Sequence, residues 1–375
     1  MRIALMGTRG VPASYSGFET AVEQLGQRLA ARGHQVTVYC RTPHVTYPGD
    51  SYLGMRLVKL PTIRNKYLDT LFHTFVSCLH AWTQHYDVAL MFIAGNSLVS
   101  WMPRLVGTPV ALNVDGLDWK RAKWNRFARL YIQLAERLSR WLPTCVVTDS
   151  RIVQDFYDDV YHLETVFIPY GSDIDRKEPG ETLEHLGLKP RGYVLFVGRL
   201  VPENNAHHVL AAFLRLKRRH GLKLVIVGDA PYADDYILDL RARASTDPDV
   251  IMPGYVFGDG YRELASNAFV SVVATEVGGT HPVLLEAMAL GNCVLVNDIP
   301  TNLETTGRAA VPYSGSVGAS DLSAKLAELI ADPERVEHYR QLASQRAAEA
   351  YSWERVTDQY AELCHRLVAG TWGNK

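Results

Sequence analysis

Short apolar runs alternate along the chain with stretches in which apolar residues recur every three to four positions. That alternation predicts strands and helices taking turns in parallel sheets covered on both faces. IleAlaLeuMet at 3–6 reads as a first strand, and Phe18, Ala21, Val22, Leu25 and Leu29 then recur at helical spacing until Gly33 stops the helix. Further strands are predicted at 35–39, 87–93, 109–114 and 144–148, with helices over 70–83, 124–141 and 150–160. A second series starts with a strand at 193–198, continues with a helix at 205–219 and a strand at 222–228, and adds strands near 249–252, 269–273 and 293–296. The last helical pattern, from Trp353 to about Val368, has no strand after it.

The pattern divides into two α/β units: a domain at 1–168, a linker at 169–190, a domain at 191–352, and a C-terminal helix and tail at 353–375. A length of 375 residues agrees with two domains at about 150 residues each. Charge adds little, since 39 basic residues face 40 acidic ones, and nothing asks for nucleic acid as a partner. The five cysteines stand singly, which spells neither a disulfide framework nor a CxxC metal site and reads as buried thiols in a reducing cytoplasm. MetArgIleAlaLeuMetGly at the start reads as a strand rather than a signal peptide, and the apolar run at 88–94 is too short to span a bilayer. The expectation is a cytoplasmic protein, soluble or peripheral.

Open α/β sheets bind ligands beyond the carboxyl ends of their strands, where helix N-termini offer free N–H groups. Three loops fit. GlyThrArgGly at 7–10 follows the first strand, and its Arg9 either meets a phosphate or decorates a turn. ValGlyArgLeuValProGluAsnAsn at 197–205 follows another strand, and Arg199 either holds a diphosphate with its planar fork or pairs with Glu203. The third loop, with Gly278, Gly279 and Thr280, runs through His281 into a helix carrying Glu286. That carboxylate either accepts from ribose hydroxyls or complements the helix dipole.

Taken in order, these loops resemble the retaining glycosyltransferases of the GT-B fold, glycosyltransferase family 4. The landmarks are GlyHisGlnValThrValTyr at 33–39, IleProTyrGlySerAsp at 168–173, ValGlyArgLeuValProGlu at 197–203, ValGlyAspAlaPro at 227–231, LeuLeuGluAlaMetAlaLeuGly at 284–291 and TyrSerTrpGluArgVal at 351–356. GlyThrArgGlyValPro at 7–12, GlyPheGlu at 17–19, AsnValAspGlyLeuAspTrpLysArgAlaLysTrp at 113–124, ProGluAsnAsn at 202–205 and ValGlyGlyThrHisPro at 277–282 resemble a narrower branch that includes bacterial rhamnosyltransferases of polysaccharide assembly. The resemblance implies two Rossmann-like domains facing across a cleft, with the C-terminal helix returning to the N-terminal domain. It also implies sugar transfer with retention from a nucleoside diphosphate donor, dTDP-rhamnose favoured and UDP- or GDP-sugars as alternatives, to a lipid-diphosphate-linked or polysaccharide acceptor. No further cofactor and no metal are implied.

Carried over residue by residue, Arg199 looks like the arginine that grips the donor diphosphate, and Glu286 like the ribose-binding second glutamate of the EX7E motif. Tyr255 and Val256 would lie by the base. Gly7, Arg9, Gly10 and Gly17 look like the N-terminal loop approaching the diphosphate, and Asp115 like a residue contacting the donor sugar. The chain departs from the pattern in three places: the first EX7E glutamate is Gly278, with Glu276 two residues out of register; the usual lysine is Asn204; and Ser16 replaces a glycine. The first and second departures, at 278 and 204, motivate the rival reading of a non-catalytic nucleotide-sugar binder or scaffold in polysaccharide assembly. A nicotinamide-dependent oxidoreductase is disfavoured, because the strand at 37–41 ends in Arg41 and not in an acid.

AspIleAsp at 173–175 and AspProAsp at 247–249 imitate a metal motif but fall in the linker and in a proline turn. The segment 119–141 mixes Lys120, Arg121, Lys123, Arg126, Arg129, Arg137 and Arg140 with aromatic and aliphatic residues. It suits peripheral contact with the inner face of a cell membrane or with a lipid-linked acceptor, against the alternative of a solvated helix with core aromatics.

Overall fold

The computed structural model describes residues 1–13, 17–42, 44–63, 65, 68–114, 116, 119, 126–230 and 233–372. The chain divides into two compact units: residues 1–171 with 353–375, and residues 172–352.

In the first unit the order is β1 (Arg2–Met6), α1 (Gly17–Ala31), β2 (Gln35–Arg41), β3 (Ser51–Tyr52), β4 (Met55–Leu60), α2 (Asp69–Ala81), β5 (Val88–Phe92), α3 (Trp101–Arg104), β6 (Val110–Val114), α4 (Arg126–Leu138), β7 (Cys145–Thr148), α5 (Arg151–Tyr161) and β8 (Val166–Phe167). The eight strands are ordered β3-β4-β2-β1-β5-β6-β7-β8, parallel except for the β3–β4 hairpin. The inner strands are buried along their whole length, as strands covered on both faces must be. The pattern had not singled out β3, β4 or the two-residue β8. The first two pair across a Leu53–Gly54 turn at the sheet edge, where Ser51 and Arg56 are exposed and Tyr52, Lys59 and Leu60 half-buried, so that polar residues interrupt the apolar run.

In the second unit the order is α6 (Glu181–His185), β9 (Tyr193–Val197), α7 (Ala206–Leu214), β10 (Lys223–Val227), α8 (Asp234–Ala244), β11 (Val250–Gly254), α9 (Gly258–Ser266), β12 (Val270–Val273), α10 (Pro282–Ala289), β13 (Cys293–Asn297), α11 (Pro300–Thr306), β14 (Val311–Tyr313), α12 (Ala319–Ala331) and α13 (Pro333–Ala350). Its six parallel strands run β11-β10-β9-β12-β13-β14. The stretch expected as a linker is not free chain from Ser172 onward. Leu183 and Leu188 are buried with Tyr193, Leu195 and Leu264, and Glu263 accepts the backbone N–H groups of Gly180 and Leu183 at 2.8 Å each. Helix α7 also stops five residues before the sequence pattern does. Arg219 turns back over Phe213 at 4.5 Å and pairs with Asp247 at 2.6 Å, which spends part of the AspProAsp turn on an ion pair.

The closing helix, α14 (Trp353–Val368), packs in the first unit. It buries Val356, Tyr360, Leu363, Cys364 and Leu367, hydrogen-bonds Asn113 through the Tyr360 hydroxyl, and pairs Glu354 and Asp358 with Arg28 and Arg32 of α1. Among the described residues no helix is long and apolar enough to cross a membrane.

Candidate active site

Each sheet reverses its strand order beside one strand, β1 in the first unit and β9 in the second. The crevice at such a switch point is where an open α/β sheet receives a ligand. The Gly7–Gly10 loop leaves β1, and Gly198 and Arg199 leave β9, so two of the three candidate loops stand at switch points.

In the first unit the loop after β1 is fixed by its neighbours. The Gly7 carbonyl accepts from Arg41 Nη2 at 3.1 Å and from Asn96 Nδ2 at 3.4 Å, and the Arg9 carbonyl accepts the Arg41 N–H at 2.8 Å. Gly7 has φ +101°, and a Cβ there would lie 2.4 Å from the Phe92 carbonyl oxygen, so only glycine fits between β1 and β5. Arg41, seen in the sequence only as the wrong residue for a dinucleotide site, is the buried brace of this loop. Its other edge pairs with Asp69 at 2.9 Å, which also accepts from Thr62 at 2.6 Å. Ile93, just past β5, has φ +75°, a strained value for a β-branched residue that its N–H bond to the Asn113 carbonyl helps to hold. Gly17 begins α1. Asp115, Ser16, Lys120, Arg121 and Lys123 lie outside the described residues.

In the second unit the loops after β9 and β12, adjacent strands in the sheet, are tied together. Glu276 N–H donates to the Glu203 carbonyl at 3.0 Å, and Asn205 Nδ2 donates to the Ala274 carbonyl at 3.0 Å and to Glu276 Oε1 at 2.8 Å. Asn205 adopts a left-handed conformation at the start of α7, which the short polar side chain tolerates. Asn204, expected at the diphosphate, is buried and donates to the Arg199 carbonyl at 2.8 Å, so its amide braces the loop that carries the arginine. Arg199 itself is half-buried, and among the described residues no carboxylate pairs with it; the expected alternative partner Glu203 does not. A half-buried guanidinium without a counter-ion is a ready site for an anion.

The third loop explains Gly278. Its φ is +151°, and a Cβ built there would lie 2.5 Å from His281 Nε2. The His281 ring thus stands where a side chain at 278 would begin. Asn302 Nδ2 donates to the Asn297 carbonyl at 3.0 Å, so its Oδ1 faces His281 and accepts from Nδ1 at 3.0 Å, which fixes the ring. Gly279 and Thr280 are buried between this ring and helix α10, whose first turn begins with Pro282. Glu286 lies one turn further on, half-buried, and its Oε2 accepts the Tyr261 hydroxyl at 2.5 Å. Burial pushes the Glu286 carboxyl above the ordinary range, while the hydrogen bond from Tyr261 pulls the other way.

Tyr261 comes from α9, which follows the loop after β11. There Tyr255 stacks on Phe257, ring centroids 5.3 Å apart, and both rings are exposed, while Val256 packs inward on the core. Along the carboxyl edge of the second sheet the loops after β11, β9 and β12 therefore carry, in that order, an exposed aromatic pair, Arg199 and the glycine loop, and the Tyr261 phenol of α9 meets the Glu286 carboxylate of α10. Tyr261, Asn205, Asn302 and Phe257 were not expected from the sequence. Asn205 stood in the ProGluAsnAsn motif at 202–205 and Phe257 two positions after Tyr255, whereas Tyr261 and Asn302 carried no signal. Among the described residues no group of three or more His, Cys, Asp or Glu side chains is placed to hold a metal ion.

Residues 183–346 match the family described as Glycosyl transferases group 1, and residues 1–173 match a domain of unknown function, DUF1972. Alpha-maltose-1-phosphate synthase of Mycobacterium tuberculosis is 28% identical over 204 residues, 51% of this chain and 52% of that protein. The chain spans 27% and 52% of the length of the first curated relatives it matches. Sucrose-phosphate synthase of Thermosynechococcus elongatus superposes over 98% of this chain and 99% of its own, with TM-score 0.82 at 22% identity. HepE of Anabaena, solved in complex with UDP-glucose, superposes over 97% and 99% with TM-score 0.76 at 16% identity. The fold is GT-B. The match over 183–346 falls within the second unit.

Proposed function

We propose that this protein is a retaining hexosyltransferase that moves a hexose or deoxyhexose, rhamnose from dTDP-rhamnose first among them, to a lipid-diphosphate-linked or polysaccharide acceptor without a metal ion. The observation that carries the reading is Arg199: a half-buried cation at a switch point, without an ion pair among the described residues, beside a glycine loop and a carboxylate that can accept from ribose. In sugar transfer the charge that develops is that of the departing diphosphate, and fixed donors aimed at it contribute most of the rate. Arg199 and the N–H groups entering α10 supply such donors, Glu286 holds the ribose, and the Tyr255–Phe257 pair offers a stacking face to the base. Asp115 keeps the role the resemblance implies, contact with the donor sugar. The acceptor hydroxyl attacks on the face from which the diphosphate leaves, since no side-chain nucleophile is assigned.

Thermal-shift measurement against dTDP, UDP and GDP tests the reading. The largest shift is expected with dTDP, and Arg199→Ala should weaken nucleotide binding by roughly ten- to a hundredfold, the loss of a charge-assisted hydrogen-bond pair. A chain indifferent to all three nucleotides would sink the proposal, whereas a preference for UDP or GDP would remove only rhamnose. The second reading, a non-catalytic binder, is favoured by the inward turn of Asn204. It is separated by turnover: release of the nucleoside diphosphate in the presence of a lipid-diphosphate glycan excludes it.

A further inference from the structure

We infer that the outer face of α4 and the corner after α3 form a surface that docks on an anionic phospholipid bilayer. The inference deepens the proposed acceptor chemistry and rests on it only for its purpose; vesicle binding is measured without turnover, so the two fail separately.

Helix α4 is held in one orientation from beneath. Ile132, Ala135 and Glu136 are buried, the Ala135 carbonyl accepts from Ser97 Oγ at 2.5 Å, Tyr131 donates to the Gly95 carbonyl at 2.7 Å, and Glu136 accepts from Tyr161 at 3.0 Å. The opposite face is left with large apolar side chains in water. Phe127 is 83% exposed, Leu130 65%, Leu134 49% and, just past the helix, Trp141 58%. At spacings of three, four and seven residues these positions form one stripe. Arg126 and Arg129 each stand one position before a residue of that stripe, Phe127 and Leu130, so a basic strip begins beside it about 100° around the axis, and Arg137 and Arg140 add charge at the far end of the segment. From Arg126 to Trp141 the sole acidic residue is Glu136, and it is buried.

The patch extends beyond the helix. Arg104 Nη1 donates to the carbonyls of Trp141 and Leu142 at 2.9 and 2.7 Å, which brings the end of α3 against the end of α4. Trp101, 41% exposed, and Leu105, 66% exposed, sit on that corner. Nothing in the sequence pattern had joined them to the 119–141 segment.

Large exposed apolar side chains on a rigid helix mark a contact surface, and the arginines choose its partner. A second copy docked face to face would set one arginine stripe against another, which like-charge repulsion opposes. An anionic bilayer accepts both stripes at once: apolar side chains enter the acyl boundary while guanidinium groups stay among the headgroups, with tryptophans at the border. The chain as a whole carries a net charge of −1, so this attraction is local to the face.

The test is flotation of the full-length protein with vesicles of phosphatidylcholine alone or mixed with phosphatidylglycerol. Wild type should float with the mixed vesicles at low salt, less at high salt, and weakly with phosphatidylcholine alone. L130S/L134S should lose binding at every salt, by roughly tenfold or more for two apolar side chains withdrawn from the bilayer. R126E/R129E should lose the anionic preference. Unchanged melting temperature and unchanged nucleotide response identify variants that are still folded. Retained binding in both folded variants overturns the inference, as does a wild type that ignores mixed vesicles. A wild type that is dimeric in solution and becomes monomeric in L130S/L134S would assign the face to self-association instead and also overturn it.

Discussion

The Glu286 carboxyl sits where burial disfavours its charged form. Burial raises its pKa from 4.5, against the pull of the Tyr261 hydrogen bond, so the folded chain holds this proton at pH values where the unfolded chain has released it. Stability from this group is therefore full below the unfolded pKa, falls as pH rises to the raised folded value, and stays at the lower level above it. Glu286→Gln keeps an acceptor for Tyr261 and removes the desolvated charge. Its melting temperature should exceed that of wild type at neutral pH, and the difference should shrink toward zero as pH drops through that window. Nucleotide affinity should fall, because an amide oxygen accepts from ribose more weakly than a carboxylate. A Gln variant less stable than wild type at every pH would show that the carboxylate is not under this penalty. Glu276 is different: it is exposed and its carboxylate meets Asn205, whose amide keeps the Ala274 carbonyl as a second acceptor. Glu276→Ala should cost about 0.5–1.5 kcal/mol of stability, the worth of one hydrogen bond, and leave nucleotide affinity within a few-fold.

At the scale of the element, the turn from β12 into α10 behaves as one unit in which position 278 and position 281 exclude each other. A glutamate placed at 278 alone meets the His281 ring, and the ring cannot swing away without giving up Asn302. Gly278→Glu should therefore lower stability by about 1–3 kcal/mol through the clash and the strain of a side chain at φ +151°, and His281→Gly in the same chain should recover the part that comes from the clash. A double-mutant cycle reads this as a coupling of at least about 0.5 kcal/mol, and additive single effects would refute it. The sequence could show that 278 lacks a carboxylate but not what fills the space, since His281 is oriented by Asn302, 21 residues away on the far side of β13. The same holds for Glu286, whose partner Tyr261 is 25 residues earlier and sits on a different helix. What was legible was local: strand ends, glycine turns and the periodicity of α1, α4 and α14 are written in neighbouring residues. What was not legible depends on sheet order, which puts β9 beside β12 and thereby ties Asn205 to Glu276. Edge elements such as β3 and β4 were missed because polar residues interrupt their apolar run.

Across the whole molecule, the chain leaves the first unit after Gly171 and comes back to it at Trp353, so the folding of residues 1–171 is completed only when the last helix has been made. The contacts of α14 described above all belong to that unit: ion pairs to Arg28 and Arg32, the Tyr360 hydroxyl against Asn113 at the end of β6, and a buried apolar face. The ion pairs are exposed on the acidic side and worth little individually. The Tyr360 hydroxyl is worth more, because Asn113 is buried and its Oδ1 already has no hydrogen-bond partner. Removing the hydroxyl leaves the amide nitrogen unsatisfied as well, at a cost of about 1–3 kcal/mol. Tyr360→Phe should thus be destabilising although it preserves the ring, and Leu363→Ala should cost about 2–5 kcal/mol through a core cavity. A melting temperature reads the loss but not which of the two units it falls in. Hydrogen exchange resolved by peptide is the better measurement. Protection should fall in β1, β5, β6, α1 and α14 of both variants, while peptides from 172–352 keep wild-type protection. Equal loss of protection in the second unit would mean that the two units unfold as one, and that the return of α14 stabilises the whole chain rather than the unit it completes.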